Sequence, residues 1–248
     1  MRFLCLHGRG TNAKIFEQQT ARVLESLRRD HEFVFINGPA PAEATAGSYL
    51  LSEMISMNGN VSVEASGSSV AVPWATRDDV RGFWPLHGGG EADFRQLHHE
   101  LAAFVHAHGP FEGVMGFSEG GGVAASLLLA DKGGTLGFKC AVLFCATVPL
   151  DFGADGARPV GFFADDAAAA AAAAALEGAV RLPSAHVYAA SDAVSPGAGV
   201  KTMAFFREEA REQVVHALGH DVPGARSDEG VRETVRAIAR TIERSRTS

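Results

Sequence analysis

This chain of 248 residues contains few cysteines. It has three cysteines, Cys5, Cys140 and Cys145, and each lies in an apolar run. These three residues provide neither the paired spacing of a zinc site nor the even number that a disulfide framework needs. We therefore expect buried thiols in a cytoplasmic protein, and no metal centre.

Clusters of basic residues are also lacking. The formal net charge is -7, and the Lys and Arg residues are scattered along the chain. This charge balance argues against nucleic acid or an anionic membrane surface as the principal partner. Residues 2–6 form too short an apolar run for a signal peptide, and the alanine run at 167–175 is too short to span a membrane.

The apolar residues that are present follow an alternation of strands and helices. A strand, a helix and a second strand in succession favour a right-handed parallel unit, and the run at Cys140–Cys145 has no polar alternation, as a buried parallel strand requires. We predict one α/β domain over residues 1–248, with a mostly parallel central sheet and helices on both faces. The predicted strands, apart from the one that ends before Ser118, are 2–6, 31–36, 140–145, 184–190 and 213–216.

Residues 40–90 interrupt this alternation with a mixture of Pro, Ala, Gly, Ser and apolar side chains. A long irregular segment inside a compact domain is typical of a lid or a binding loop. We expect this segment to cover the active site and to shape the substrate pocket; the alternative is a disordered surface insertion. Within it, the alternating valines at 61, 63, 70 and 72 predict a small hairpin.

A short apolar strand leads into Gly116-Phe117-Ser118-Glu119-Gly120, and a helix-forming run follows. This Gly-x-Ser-x-Gly pattern between a strand and a helix is typical of a nucleophile elbow, in which a sharp turn exposes the serine oxygen. Glycines on both sides of the serine let the strand and the helix approach closely. Ser118 is therefore the candidate nucleophile.

A serine nucleophile needs a base and a group that orients the base. Asp192 follows the predicted strand at 184–190, and His220 follows the predicted strand at 213–216, so both are expected at the carboxyl edge of the sheet. His216 is the alternative base, but we expect it to lie within the strand. Asp165 and Asp166 are alternative acids and are less well placed.

An oxyanion hole needs backbone N–H groups aimed at the charge that develops on the attacked carbonyl. One donor is expected from Glu119, directly after the nucleophile. The other is expected from Arg9, between two glycines in the loop after the first strand. The side chain of Glu119 could contact substrate, although its backbone is the part that the hole requires.

The loop after the first strand has a second interpretation. Residues 8–13 match a loose dinucleotide-binding pattern, Gly-x-Gly-x-x-Ala. That kind of site needs an acidic residue at the end of the second strand to bind the ribose hydroxyl. The second strand instead runs into Asn37-Gly38-Pro39, so the hydrolase interpretation is preferred.

Together these motifs resemble the fungal-type serine hydrolase family, often abbreviated FSH, within the α/β-hydrolase superfamily. That family includes small carboxylesterases and thioesterases that release polyketides from their synthases. The resemblance extends along the chain in the expected order, through residues 4–10 (LCLHGRG), 35–39 (FINGP), 109–120 (GPFEGVMGFSEG) and 219–223 (GHDVP).

The resemblance implies an α/β-hydrolase fold with Ser118 as nucleophile, Asp192 as acid and His220 as base. Two segments depart from the family pattern. Residues 40–90 do not follow it, so the substrate cannot be carried over from the family. The alanine run at 167–175 weakens the alignment just before Asp192.

We therefore expect hydrolysis of a carboxylic ester or thioester through an acyl-Ser118 intermediate, without a cofactor. The apolar residues of the lid segment favour a hydrophobic acyl group, such as a polyketide or a fatty chain, on a small molecule or a carrier protein. The same serine could instead serve acyl transfer, carbon–carbon bond cleavage or cyclisation. A hydrolase-fold binding protein without turnover is a further alternative. The sequence predicts no oligomeric state.

Overall fold

The computed structural model describes residues 1–42, 80–84, 91–149 and 174–247. Most of the predicted lid, its hairpin, the alternative acids Asp165 and Asp166, and most of the alanine run lie outside these residues. Six strands of the described part form one sheet in the order β2-β1-β5-β6-β7-β8, and every neighbouring pair is parallel. These strands are β1 (Arg2–Leu6), β2 (Glu32–Ile36), β5 (Gly113–Phe117), β6 (Cys140–Phe144), β7 (Ser184–Ala189) and β8 (Arg211–His216).

Helices cover both faces of this sheet. Successive side chains of a strand point to opposite faces, so Phe3 and Cys5 join one apolar cluster while Leu4 and Leu6 join the other. The first cluster is closed by α1 (Ala13–Leu27) and α5 (Asp228–Thr247), and the second by α2 (Glu91–His108) and α3 (Glu119–Ala130). The predicted α/β-hydrolase architecture is confirmed.

The first helix shows how local sequence sets these elements. The side chain of Asn12 accepts a hydrogen bond from the backbone N–H of Ile15 and so caps the N-terminus of α1. The large apolar residues of the helix recur at helical spacing and are buried. They are Ile15, Phe16, Val23, Leu24 and Leu27.

Four elements of the described chain were not predicted. They are the two-residue strands β3 (Ala40–Pro41) and β4 (Arg81–Gly82), which pair antiparallel, the seven-residue helix α4 (Ala198–Ala204) and a 3-10 turn at Glu208–Ala210. Elements this short do not complete enough periods for a hydrophobic pattern to be recognised. The last strand also begins two residues earlier than expected, at Arg211.

The three cysteines are free and buried, as predicted. Within the described residues, no helix combines the length and the apolar character that crossing a lipid bilayer requires. The loops after β1, β5, β7 and β8 leave the carboxyl edge of the parallel sheet, where open α/β sheets form their sites.

Candidate active site

Ser118 occupies the turn between β5 and α3 with an unusual backbone conformation. Its φ is 53° and its ψ is -119°, a combination that side-chain-bearing residues rarely adopt. Hydrogen bonds hold it there: the Ser118 amide donates to Phe144 O at 2.9 Å, and its carbonyl accepts from the amides of Gly122 and Thr147 at 3.1 and 3.0 Å. The surrounding backbone thus compensates for the strain that exposes the serine oxygen.

The glycines of the elbow permit close contact between backbones. A Cβ at Gly120 would lie 2.2 Å from the carbonyl oxygen of Leu6 and 2.4 Å from that of His7. A Cβ at Gly116 would lie 2.4 Å from the carbonyl oxygen of Gly120. Only residues without a side chain fit at these two positions, so the start of α3 rests directly on the end of β1.

His220 lies between the other two predicted residues. Its Nε2 is 2.8 Å from Ser118 Oγ, and its Nδ1 is 2.6 Å from Asp192 Oδ2. These residues come from loops after three different strands and are separated by 102 and 28 positions in the chain. The Phe117 ring packs near the imidazole, with centroids 5.2 Å apart.

Asp192 is fixed by its own loop. Its Oδ1 accepts hydrogen bonds from the amides of Val194 and Ser195, both at 2.9 Å, which leaves Oδ2 directed at His220. Burial acts to raise the pKa of Asp192, but the hydrogen bonds from His220 and the two amides outweigh it and hold that pKa below its usual value. The carboxylate is therefore ionised when it faces the imidazole.

The alternative base, His216, is the last residue of β8, in agreement with its predicted place in the strand. Its Nδ1 accepts from the amide of Leu218 at 3.2 Å, and burial lowers its pKa. The structure brings His220, not His216, to Ser118.

The loop between β1 and α1 lies against the nucleophile. A Cβ at Gly8 would be 3.2 Å from Ser118 Cβ and 2.8 Å from the Phe117 ring, so a larger residue there would push the loop away. The imidazole of His7 supports this loop, because its Nδ1 donates to Gly8 O at 2.7 Å and its Nε2 accepts from the Gly38 amide at 2.9 Å. Burial lowers the pKa of His7 to about 4, so the ring is neutral at pH 7.

The side chains of Arg9 and Glu119 are paired. Arg9 Nη2 is 2.8 Å from Glu119 Oε1, and the carboxylate is almost fully buried. The Glu119 side chain therefore has a binding partner within the protein that sequence reasoning did not identify. A complementary pair at positions 110 residues apart gives no sequence signal without the fold.

Among the described residues, Cys145, Asp192 and His220 form a group whose ligand atoms lie within 4.8 Å of one another and could hold a metal ion. All three atoms already have hydrogen-bond partners: Cys145 Sγ donates to Asp221 O at 3.4 Å, and the other two residues are bonded to each other. Burial raises the pKa of the Cys145 thiol to about 12. This thiol is protonated at neutral pH and packs beside the acid.

Residues 1–231 match the model of a protein family described as serine hydrolase (FSH1). The chain belongs to the serine hydrolase (FSH1) family. Its relatives include the esterase FPY3 of Fusarium mangiferae, which is 25% identical over 98% of this chain and 96% of its own length. The esterase OVCA2 of Bos taurus is 24% identical over 91% of this chain and 90% of its own length. This member of the FSH1 family is therefore a serine hydrolase.

Solved structures share the fold of this serine hydrolase. The SOBER1 protein of Arabidopsis thaliana matches with a TM-score of 0.55 and 14% identity, covering 98% of this chain and 99% of its own. A carboxylesterase of Mesorhizobium loti matches with a TM-score of 0.56 and 15% identity, over 96% of this chain and 88% of its own. At this level of identity the likeness establishes the α/β-hydrolase fold alone.

Proposed function

We propose that this serine hydrolase cleaves carboxylic esters or thioesters through an acyl-Ser118 intermediate. The observation that carries the proposal is the position of His220, whose two ring nitrogens lie within hydrogen-bond distance of Ser118 Oγ and Asp192 Oδ2. Such an arrangement lets the imidazole remove the serine proton while the carboxylate holds the ring and stabilises the imidazolium that forms. The names of the curated relatives, which are esterases, point to the same chemistry.

In the first half of the reaction, Ser118 Oγ attacks the carbonyl carbon and His220 Nε2 accepts the serine proton. The tetrahedral intermediate then collapses, and the alcohol or thiol leaves with the proton from His220. In the second half, His220 takes a proton from water as the water attacks the acyl group. Collapse of this second intermediate returns the proton to Ser118 and releases the carboxylic acid.

The negative charge on the attacked carbonyl oxygen needs donors that are in place beforehand. We assign this role to the backbone N–H groups of Glu119 and Arg9. Glu119 is the first residue of α3, where the N–H groups of a helix are free to bind an anion. The close packing of Gly8 supports Arg9, because a Cβ added at Gly8 would lie only 3.2 Å from Ser118 Cβ, which places the β1–α1 loop against the nucleophile.

The acyl group is proposed to be hydrophobic, with a polyketide or fatty chain as the class to test. The apolar residues of segment 40–90 first suggested this preference. In the described chain, an apolar pocket lies between α2 and α3, but its volume of about 10 Å³ fits about one water molecule and not an acyl chain, so the preference rests on segment 40–90 alone. The pocket is lined by Trp84, Phe94, Leu97, Leu101, Val123 and Leu127, together with two polar side chains.

The proposal is tested by measuring turnover of p-nitrophenyl esters and of matched N-acetylcysteamine thioesters, both with acyl chains from two to twelve carbons. Ser118→Ala should abolish turnover of every substrate, whereas Ser227→Ala, at the start of α5, should leave it unchanged. We expect kcat/KM to rise with chain length over part of the series. Undiminished turnover by Ser118→Ala would refute the proposed reaction, and a flat or falling chain-length profile would refute the hydrophobic acyl preference.

A further inference from the structure

The two residues assigned to the oxyanion hole are also joined through their side chains. Both Nε and Nη2 of Arg9 approach Glu119 Oε1, at 3.0 and 2.8 Å. The exposed fraction of the side chain is 20% for Arg9 and 4% for Glu119. An ion pair thus bridges the β1–α1 loop and the first residue of the elbow helix.

A third segment, residues 81–84, completes this arrangement. The amide of Phe83 donates to Glu119 Oε2 at 2.8 Å, and Arg9 Nη2 donates to the carbonyl of Trp84. The same segment is bonded to the β1–α1 loop itself: Gly10 N donates to Arg81 O at 2.9 Å, and Arg81 N donates to Thr11 O at 2.7 Å. Both carboxylate oxygens of Glu119 and two guanidinium nitrogens of Arg9 therefore form hydrogen bonds.

Burying the Arg9–Glu119 ion pair costs free energy, so the pair contributes little to stability. Burial raises the pKa of Glu119 to about 7, and the attraction of Arg9 and the Phe83 amide only partly offsets this cost. Apolar side chains could join the same three segments without removing charges from water. A role in geometry explains the charged pair better than a role in stability.

The backbone on either side of Arg9 explains why such a constraint matters. Arg9 lies between Gly8 and Gly10, and Gly10 adopts a φ of 68°, in the left-handed region. Glycine restricts the backbone less than any other residue. The orientation of the Arg9 N–H therefore depends on what the loop is bound to, whereas Glu119 is fixed by α3.

We propose that the Arg9–Glu119 pair acts as a clamp that sets the spacing of the two oxyanion-hole N–H groups, and that residues 81–84 hold the clamp closed. The inference rests on the proposed reaction, in which these two amides bind the developing charge. Arg9 and Glu119 would then have a positioning role through their side chains, in addition to the backbone contacts. Displacing a donor by about 1 Å is enough to lower a rate by about 100-fold.

The test is a double-mutant cycle with Arg9→Met and Glu119→Gln, measured on p-nitrophenyl butyrate with melting temperatures recorded in parallel. We expect each single variant to lower kcat by about 10- to 100-fold with little change in KM, because the lost interaction acts mainly in the transition state. The double variant should be no worse than the more impaired single variant, since either change opens the clamp. Arg9→Lys should recover part of kcat.

Gly82→Ala tests the clamp without removing either charge, and it keeps the proposal falsifiable where a single variant fails to fold. A Cβ at this position would lie 3.0 Å from Glu119 Oε2 and 3.1 Å from Arg9 Cζ, so the pair must shift. We expect a lower kcat here as well. The control cycle uses Glu212→Gln and Arg240→Met, a pair that joins β8 to α5 with a 2.7 Å contact and is expected to leave kcat unchanged.

Unchanged kcat in the foldable clamp variants, additive losses in the cycle, or losses confined to KM would overturn the clamp. Ser118→Ala separates this outcome from failure of the proposed reaction. An inactive Ser118→Ala with fully active clamp variants would refute the clamp alone. An active Ser118→Ala would refute the reaction on which the clamp rests.

Discussion

At the scale of single residues, His220 can act as a base only if its ring carries its proton on the correct nitrogen. Asp192 Oδ2 accepts from Nδ1, which leaves Nε2 with a lone pair toward Ser118. The other carboxylate oxygen is held by two backbone amides. The acid thus determines both the tautomer and the orientation of the base.

Asp192→Asn should lower kcat by about 10⁴-fold while KM and the melting temperature change little. The asparagine carbonyl can keep both amide hydrogen bonds, so its NH₂ faces Nδ1 and shifts the ring proton to Nε2. That tautomer cannot accept the proton of Ser118. Steady-state kinetics on a p-nitrophenyl ester measure the effect, and a kcat within about tenfold of the unmodified protein would contradict the assigned role.

Three residues of the candidate site could be identified from the sequence, whereas one ion pair beside them could not. The identities of Ser118, Asp192 and His220 followed from their order along the chain and their places after strands, and the structure brings the three together; their catalytic roles remain predictions. The ion pair of Arg9 and Glu119 could not be predicted. Complementary charges 110 residues apart are common in any chain, and only the approach of the two loops selects this pair.

At the scale of structural elements, the elbow depends on direct backbone contact between α3 and β1. Gly120 lies where any Cβ would collide with the carbonyl oxygens of Leu6 and His7. Backbone atoms in the centre of a sheet cannot move aside as a flexible side chain can. The Gly-x-Ser-x-Gly pattern predicts a close approach between the helix and the strand before it, and the structure shows that Gly120 also lets α3 rest on the end of β1.

Gly120→Ala should lower the free energy of unfolding by at least about 3 kcal/mol, or prevent folding, because overpacking against backbone is poorly relieved. Gly133→Ala is the matched control. Its new Cβ would meet only the Thr135 methyl, at 3.5 Å, and its backbone lies outside the left-handed region, so a change of less than about 1 kcal/mol is expected. Urea unfolding compares the two variants, and equal stabilities would contradict the proposed contact.

Element boundaries were predicted well where hydrophobic runs were long. β1 was predicted over its observed span, and β6 and β7 extend one residue less than expected. The pairing of β3 with β4 was missed because each contributes two residues, and the partners lie far apart in sequence. Short elements of this kind are determined by tertiary contacts rather than by local pattern.

At the scale of the whole molecule, folding buries histidines that the unfolded chain exposes. Burial lowers the pKa of His7 to about 4 and that of His186 to about 3. Below a pH of about 6.5 the unfolded chain binds protons at these residues that the folded chain does not, so stability falls with pH. Glu119 acts in the opposite direction, because its raised pKa of about 7 favours the folded state as pH falls.

The pKa values of His31, His98 and His216 are lowered as well, so the histidines outweigh the raised carboxyl of Glu119. We therefore expect the free energy of unfolding to decrease by at least about 2 kcal/mol between about pH 6.5 and 4.5. His186 Nε2 is bonded to Ser184 Oγ at 3.0 Å. Replacing both partners, as His186→Leu with Ser184→Ala, should reduce this dependence by about 2 kcal/mol, while Ser184→Ala alone should leave it in place. Urea denaturation at several pH values measures the slope, and a stability that rises as the solution is acidified would contradict the account.

Ser118 should carry the acyl group during turnover, and this acyl-enzyme can be trapped. The protein is mixed with p-nitrophenyl butyrate, quenched in acid within milliseconds, and analysed by intact mass and peptide mapping. We predict a transient mass gain of one butyryl group on the peptide that contains Ser118, with no gain in Ser118→Ala. Butyryl transfer to a different residue, or ester turnover by Ser118→Ala, would contradict an acyl-Ser118 mechanism.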